Sequence, residues 1–298
     1  MSKLLKRRSI GDLTFSIINY TFFIIFSIII LFPFWDTVVV SLAIPGSVSA
    51  LGFHLWPAHI TLDSYQYIFS DPKVLYAYAN TIFITVVSTL ITIIITMFAA
   101  YPLSKKDLPG RDFFTILFLI TMFFSGGLIP FYLLVKGLGM INSLWSLILP
   151  SSLSAFNVIL VRNFLMSIDK ALEEAAFVEG ANYGTVLFKI IIPLSKPIIA
   201  TVALWTAVGN WNAWFNCLIF IQDEHKIVLQ VLLKRMLDLT SYDASKMDDF
   251  VREGANRKVV SYTAQAAITI GTIGPIVLVY PFLQKYFVKG IMIGSLKG

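Results

Sequence analysis

Apolar runs separated by short polar segments recur along the whole chain. They lie at about 13–43, 75–101, from 113 onward, and at about 144–166, 197–221 and 264–287. Several reach the ~20 residues that the hydrocarbon core of a bilayer demands of a helix. Backbone groups in hydrocarbon have to be paired within their own segment, so such runs are helices rather than loops. The pattern therefore predicts an all-α, polytopic membrane protein with six transmembrane helices. The first run is followed by Val48-Ser49-Ala50, which resembles a signal-peptidase site, but it is far longer than a signal h-region. It reads as an uncleaved span bent near Pro33. Pro102 is expected to stop the second span. Ser125-Gly126-Gly127 and Pro130 interrupt the third, and Pro197 suits the first turn of the fifth.

Composition agrees with this. The chain has 298 residues, 57% of them hydrophobic and 13% charged, against about a quarter charged in an ordinary soluble domain. The single cysteine, Cys217, excludes an internal disulfide or a Cys-based metal site, and His54, His59 and His225 lack ligand spacing. A net charge of +6 reports topology in such a chain rather than nucleic-acid binding. With six spans, fourteen of the 23 Lys and Arg fall on the side of the N-terminus, where Lys3, Lys6, Arg7 and Arg8 stand. The positive-inside rule makes that side, with both termini, cytoplasmic. The other side holds Lys73, Lys136 and seven basic residues in a loop at 222–261, balanced there by seven acidic ones. That loop reads as extracytoplasmic, either meeting another protein or forming a solvated surface. No internal repeat supports an inverted-repeat transporter.

One polar segment, 167–196, is helix-prone although it lies between two apolar runs. Asp169 is placed to cap a helix of mostly good formers through Ala176. Gly180 suits the left-handed residue that ends it. Asn182 is placed to cap a second, short helix through Phe188, which Pro193 prevents from continuing. A helix, a tight corner and a short helix are thus expected to project into the cytoplasm.

At these residues the chain resembles the permease subunits of ABC importers. Glu174-Ala175-Ala176, Gly180, Ile190 and Pro193 stand at the spacings of their cytoplasmic loop. Glu179, where aspartate is usual, and Ile192, where leucine is usual, are mild departures. The resemblance extends over nearly the whole chain. Asn80 through Ser104, Leu108-Pro109-Gly110-Arg111, Leu149-Pro150, Arg162-Asn163-Phe164 and Trp211-Asn212 look like the maltose-type (MalG-like) carbohydrate permeases. Phe124 to Pro130 and Pro193-Leu194-Ser195-Lys196-Pro197 look closer to the LplC/YtcP-like branch, associated with oligosaccharides that include pectic or uronate-rich fragments.

The resemblance implies one permease domain over 1–298, partnered by a second, MalF-like permease, two ATP-binding subunits and an extracellular sugar-binding lipoprotein. Glu174, Ala175, Ala176, Glu179, Gly180, Ala181, Asn182, Ile190 and Pro193 would couple the chain to the ATPase. This chain would be no enzyme and would bind no cofactor, ATP and magnesium belonging to the partners. It carries no G-x-x-x-x-G-K-[ST] loop of its own.

A sugar path needs amides, hydroxyls and flat aromatic faces at membrane depth. On a continuous fifth helix, Trp205, Gly209, Asn212 and Asn216 fall within about 40° of one direction. Asn210 and Trp214 lie on the opposite side, and Trp211 is a further candidate from the same span. Amides facing lipid are expensive, so the Asn212/Asn216 stripe is expected to face the bundle interior or a wet cavity. Helix–helix adhesion and interfacial anchoring are the competing readings for the asparagines and the indoles. Asn80, Tyr132, Phe156 and Asn157 are further candidates for the path, with packing or capping as the alternative. Asp36 reads as interfacial. An importer for a non-sugar solute would want fixed cations deep in the spans, and a membrane enzyme would want converging His, Asp, Glu or Ser-Lys groups. Neither is present, and an ATP-independent transporter would leave the polar insert without a purpose.

Overall fold

A computed structural model of the chain describes residues 10–45, 47–48, 52–245 and 262–278. Among the described residues every regular element is helical. In order these are α1 (Ile10–Ser41), α2 (Asp63–Ser70), α3 (Pro72–Ser104), α4 (Arg111–Phe123), α5 (Leu128–Gly137), α6 (Trp145–Ile148) and α7 (Ala155–Leu165). There follow α8 (Ala171–Val178), α9 (Tyr183–Leu194), α10 (Lys196–Trp211), α11 (Phe215–Phe220), α12 (Leu229–Ser245) and α13 (Tyr262–Leu278). Among the described residues α1 and α3 can each cross a membrane by length and apolarity, and up to four crossings result if the bent pairs α4/α5 and α9/α10 each make one. The chain divides into two compact units, Met1–Ser70 with Met236–Gly271, and Asp71–Arg235 with Thr272–Gly298.

In the first unit α1 is apolar on all faces, and most of its large side chains from Leu13 to Trp35 are exposed. Such a helix has no stable place in water and suits lipid or other apolar helices. The segment after it folds back on its C-terminal end. There the Trp35 indole donates to Leu55 O (2.9 Å), Thr61 N donates to Leu42 O (2.9 Å), and Asp36 accepts from the His54 backbone N (2.8 Å).

The second unit is built on α3. Asp71 caps its start by accepting from Lys73 N (2.9 Å), with Pro72 in the first turn. Ala77, Thr81, Ile84, Ser88, Thr92 and Thr96 form a buried seam at three- and four-residue spacing. Apart from Ile84 these are small residues, which suit close packing, and α7 and α10 both pack against α3. One apolar core surrounds the early part of α3, with Ile148, Phe220 and Leu229; a second surrounds Met97–Leu103, with Val158, Val161, Val186 and Val202.

Four expectations change. Pro102 lies within the last turn of α3, which runs on to Ser104. The fourth run is not one helix from 144 to 166: α6 ends at Ile148, residues 149–154 turn, and α7 restarts under a Ser154 cap. Pro150 has no N–H to donate, although Leu149 before it keeps helical dihedrals and its bond to Trp145 O. The fifth run, 197–221, breaks at Asn212–Trp214, where Val208 O accepts from both the Asn212 side chain (2.9 Å) and the Asn212 backbone N (3.1 Å). The segment 222–261 is partly helical, with a 3₁₀ turn at Glu224–Lys226 and then α12. Residues 246–261, and the last run beyond Leu278, lie outside the described residues. The third run bends as its glycines suggest: α4 and α5 meet at 115°, with Gly127 at φ 84°.

Candidate functional site

The polar insert forms an elbow. Asp169 accepts from Ala171 N (3.0 Å), so it caps α8 as its type predicts. At the other end Gly180 has φ 86°, Gly180 N donates to Phe177 O (3.0 Å) and Ala181 N donates to Ala176 O (2.9 Å). This pair of bonds is the Schellman termination, which a glycine in the left-handed region completes with the least strain. Asn182 caps α9 by accepting from Thr185 N (2.8 Å), and the Phe177 and Tyr183 rings meet edge-on at 5.0 Å across the corner.

Beyond the corner one expectation fails. Pro193 does not end the second helix at Phe188, and α9 continues to Leu194. A proline ring crowds the carbonyl four residues earlier. Here Leu187–Ile191 form a π turn in which Ile192 N donates to Leu187 O, five residues back. That widening, which holds Ile190, lets Pro193 follow without breaking the helix. The chain then bends by 75° into α10.

Glu174, Ala175, Glu179, Gly180, Asn182 and Pro193 are exposed, and Ala176, Ala181 and Ile190 are half-buried. Ala176, Phe177 and Ala181 pack on the core around Met97–Leu103, while Val178, at the tip, is 89% exposed. A Cβ added at Gly180 would meet nothing within 4 Å. The glycine is thus fixed by its backbone conformation, and this chain leaves the space beside it open.

Sequence reasoning missed what anchors the insert. Glu173, next to Glu174, turns inward and pairs with Lys105, and the Tyr101 hydroxyl lies 3.5 Å from the same carboxylate oxygen. Leu103 O, one of the last carbonyls of α3, accepts from both Arg111 Nε (3.1 Å) and Arg162 Nε (3.0 Å). The family-like arginines of Leu108–Arg111 and Arg162–Phe164 therefore share one structural task. No periodicity announces it, since the partners are far apart in sequence.

The proposed path residues divide. The break at Asn212–Trp214 destroys the continuous stripe of Trp205, Gly209, Asn212 and Asn216. It brings Asn210 and Asn216, expected on different faces, to one cavity of about 110 Å³ with Ser151, Ile84, Leu147, Ala213, Cys217 and Val228. The Asn210 Nδ2 is buried without a hydrogen-bond partner, a state that calls for water or another polar guest. Asn212, Trp214 and Asn216 line a more open hollow of about 200 Å³, so Asn216 borders both. Asn212 also accepts from Gln230 Nε2 (3.3 Å), and Lys234 Nζ lies 4.9 Å from the Trp214 ring centre.

The other candidates have partners within the chain. Trp205 Nε1 donates to Asn157 Oδ1 (3.0 Å) and its ring lies 5.5 Å from that of Phe156. Trp211 is buried and donates to Thr272 O (2.9 Å). Asn80 donates to His225 O (2.8 Å) and Ile227 O (3.0 Å), and Tyr132 stacks on Phe220. Ser151 was not singled out from the sequence, because a lone serine in a turn carries no signal.

The chain is similar to known proteins in sequence and in overall fold. The family described as binding-protein-dependent transport system inner membrane component matches residues 78–293. The Bacillus subtilis (strain 168) polygalacturonan/rhamnogalacturonan transport system permease protein YtcP is 37% identical over 284 residues, which cover 95% of this chain and 98% of that protein. Protein LplC of the same strain is 41% identical over 273 residues, covering 91% of this chain and 90% of its own length. Among solved structures, a chain of a bacterial ABC transporter involved in the import of the acidic polysaccharide alginate superimposes with a TM-score of 0.83 at 34% identity. That match covers 94% of this chain and 98% of the other.

Proposed function

The chain belongs to the family of binding-protein-dependent transport system inner membrane components, and from that premise we propose that it is one permease subunit of an ATP-driven oligosaccharide importer. Its substrates are fragments of uronate-rich polysaccharides. The single domain 1–298 crosses the membrane six times, with both termini and the insert 167–196 in the cytoplasm and 222–261 outside. A second, MalF-like permease completes the pathway, two ATPase subunits hold ATP and magnesium, and an extracellular sugar-binding lipoprotein delivers the substrate.

The observation that carries this reading is the elbow. Its start is capped, its end is closed by a Schellman turn, and its rear is packed on the core. Its tip nevertheless presents Glu174, Val178, Glu179 and the open face of Gly180 to the surroundings. A rigid, internally satisfied corner with an exposed apolar tip is suited to be gripped and displaced. When ATP closes the ATPase dimer, the elbow moves and the spans turn from inward-open to outward-open. The substrate class rests on the polygalacturonan/rhamnogalacturonan relative and the alginate importer. Neutral amides at Asn210, Asn212 and Asn216 around the two hollows suit sugar hydroxyls.

The test reconstitutes the chain with its second permease, ATPase and lipoprotein and follows uptake of oligogalacturonides against a neutral maltotriose control. ATP-dependent uptake of the uronate series is expected, with Asn216→Ala lowering it while the ATPase stays attached. Uptake of neither sugar would contradict the importer reading, and unchanged uptake in Asn216→Ala would remove that residue from the path.

A further inference from the structure

Two adjacent glutamates of α8 face opposite environments. Glu174 is exposed, as a contact for another subunit would be. The Glu173 side chain is only 13% exposed and reaches Lys105 and Tyr101 at the end of α3, where the Lys105 ammonium also lies 4.3 Å from the centre of the Tyr101 ring. The same helix end is gripped at Leu103 O by Arg111 and Arg162. Glu173 thus ties the insert to the same helix end that α4 and α7 hold through Arg111 and Arg162.

That helix is suited to carry a displacement. Between Pro72 and Ser104 it is continuous, contains no glycine, and has proline only in its first and last turns. Kinks arise at such residues or at π turns, and the body of α3 has neither. From Asn80 to Tyr101 it rises about 32 Å at ~1.5 Å per residue, close to the thickness of a bilayer core. At its far end Asn80 holds the backbone of His225 and Ile227, and Lys73 pairs with Glu224.

We propose that Glu173 is the positioning residue through which the insert moves α3, so that displacement of the elbow reaches the segment 223–227 on the other side of the membrane. This rests on the importer reading, and it assigns to Glu173 a task distinct from that of the docking residues. Glu174, Glu179 and Gly180 hold the motor, whereas Glu173 holds the rod. An uncharged isostere at 173 should leave the motor attached and uncouple it from transport.

The experiment uses the complete complex in proteoliposomes with its lipoprotein and an oligogalacturonide mixture. It compares wild type with Glu173→Gln, Lys105→Met and the exchange of Glu173→Lys with Lys105→Glu. Copurification of the ATPase is scored beside substrate uptake per ATP hydrolysed. Glu173→Gln and Lys105→Met are expected to retain the ATPase and lose at least about fivefold in uptake per ATP, the lower range of a coupling free energy between sites. The exchanged pair should recover at least half of that loss, which a merely structural defect would not do. The inference is overturned if Glu173→Gln keeps the wild-type ratio, if the exchange is as impaired as the single variants, or if Glu173→Gln releases the ATPase. A wild-type complex that binds no ATPase would instead contradict the importer reading itself.

Discussion

Gly180 offers a perturbation whose local cost can be separated from its effect on a partner. Its φ of 86° lies in the left-handed region, where an ordinary L-residue is disfavoured by roughly 1–2 kcal/mol. Asparagine visits that region more readily than alanine does. A Cβ at this position meets no atom within 4 Å, so overlap with the rest of the chain adds nothing to the conformational term. Gly180→Ala should therefore weaken the elbow by about 1–2 kcal/mol, with Gly180→Asn at the low end. At 1.4 kcal/mol per factor of ten, the ordered corner becomes roughly 5- to 30-fold less favoured against its unwound forms. Before the ATPase is added, Gly180→Ala and Gly180→Trp should lower the thermal midpoint of the permease pair to a similar extent. Once the complex is assembled they should diverge. Gly180→Ala keeps a measurable part of substrate-stimulated ATP hydrolysis, and Gly180→Trp abolishes it while the spans remain folded. Equal activity of the two variants, or normal stimulation in Gly180→Trp, would mean that no partner docks against this corner.

Two further outcomes are expected elsewhere. Trp205→Phe removes the donor to Asn157 Oδ1, and Asn157 is only 5% exposed. The orphaned acceptor should destabilise the chain by about 1–3 kcal/mol in thermal unfolding, and replacing Asn157 by leucine in the same chain should recover part of it. The segment 223–227 should respond to acid alone. Asp223 is held below its ordinary 3.8 by the His225 backbone N–H and by Lys226, and Glu224 below its ordinary 4.5 by its hydrogen bond and charge interaction with Lys73. Because both folded values are depressed, their contribution is fully present above the ordinary values and disappears as pH falls through the folded ones. Exchange protection of the His225 amide should hold from neutral pH to about pH 5 and decline only below about pH 4. Loss of protection by pH 6 would contradict this.

Local chemistry explains what was legible beforehand. The elbow could be read because a cap, a left-handed glycine and a second cap act within a few residues of one another, and Asp169, Gly180 and Asn182 do what their types suggest. The apolar runs at 75–101 and 113 onward could be read because hydropathy registers length and composition. Hydropathy registers no breaks, however. The turn at 149–154 and the one at Asn212–Trp214 lie inside apolar runs, whose overall composition marks neither. Assuming a continuous helix there grouped Asn212 with Asn216 and separated Asn210, whereas the break joins Asn210 and Asn216 around one cavity. Pro193 misled for a similar reason, because a π turn relieves the crowding that would otherwise end α9. The inward turn of Glu173 and the grip of Asn80 on His225 and Ile227 are tertiary contacts. No single segment could reveal them.

The elbow's side of the membrane and its occupancy can be read from one residue. Val178 is 89% exposed and the native Cys217 is 2% exposed, so Val178→Cys supplies the principal thiol open to a membrane-impermeant maleimide. No labelling at 178 is expected in intact cells, with rapid labelling in inside-out vesicles stripped of the ATPase and protection when the ATPase is restored. Labelling from outside the cell, or labelling that is equally fast with the ATPase bound, would contradict it.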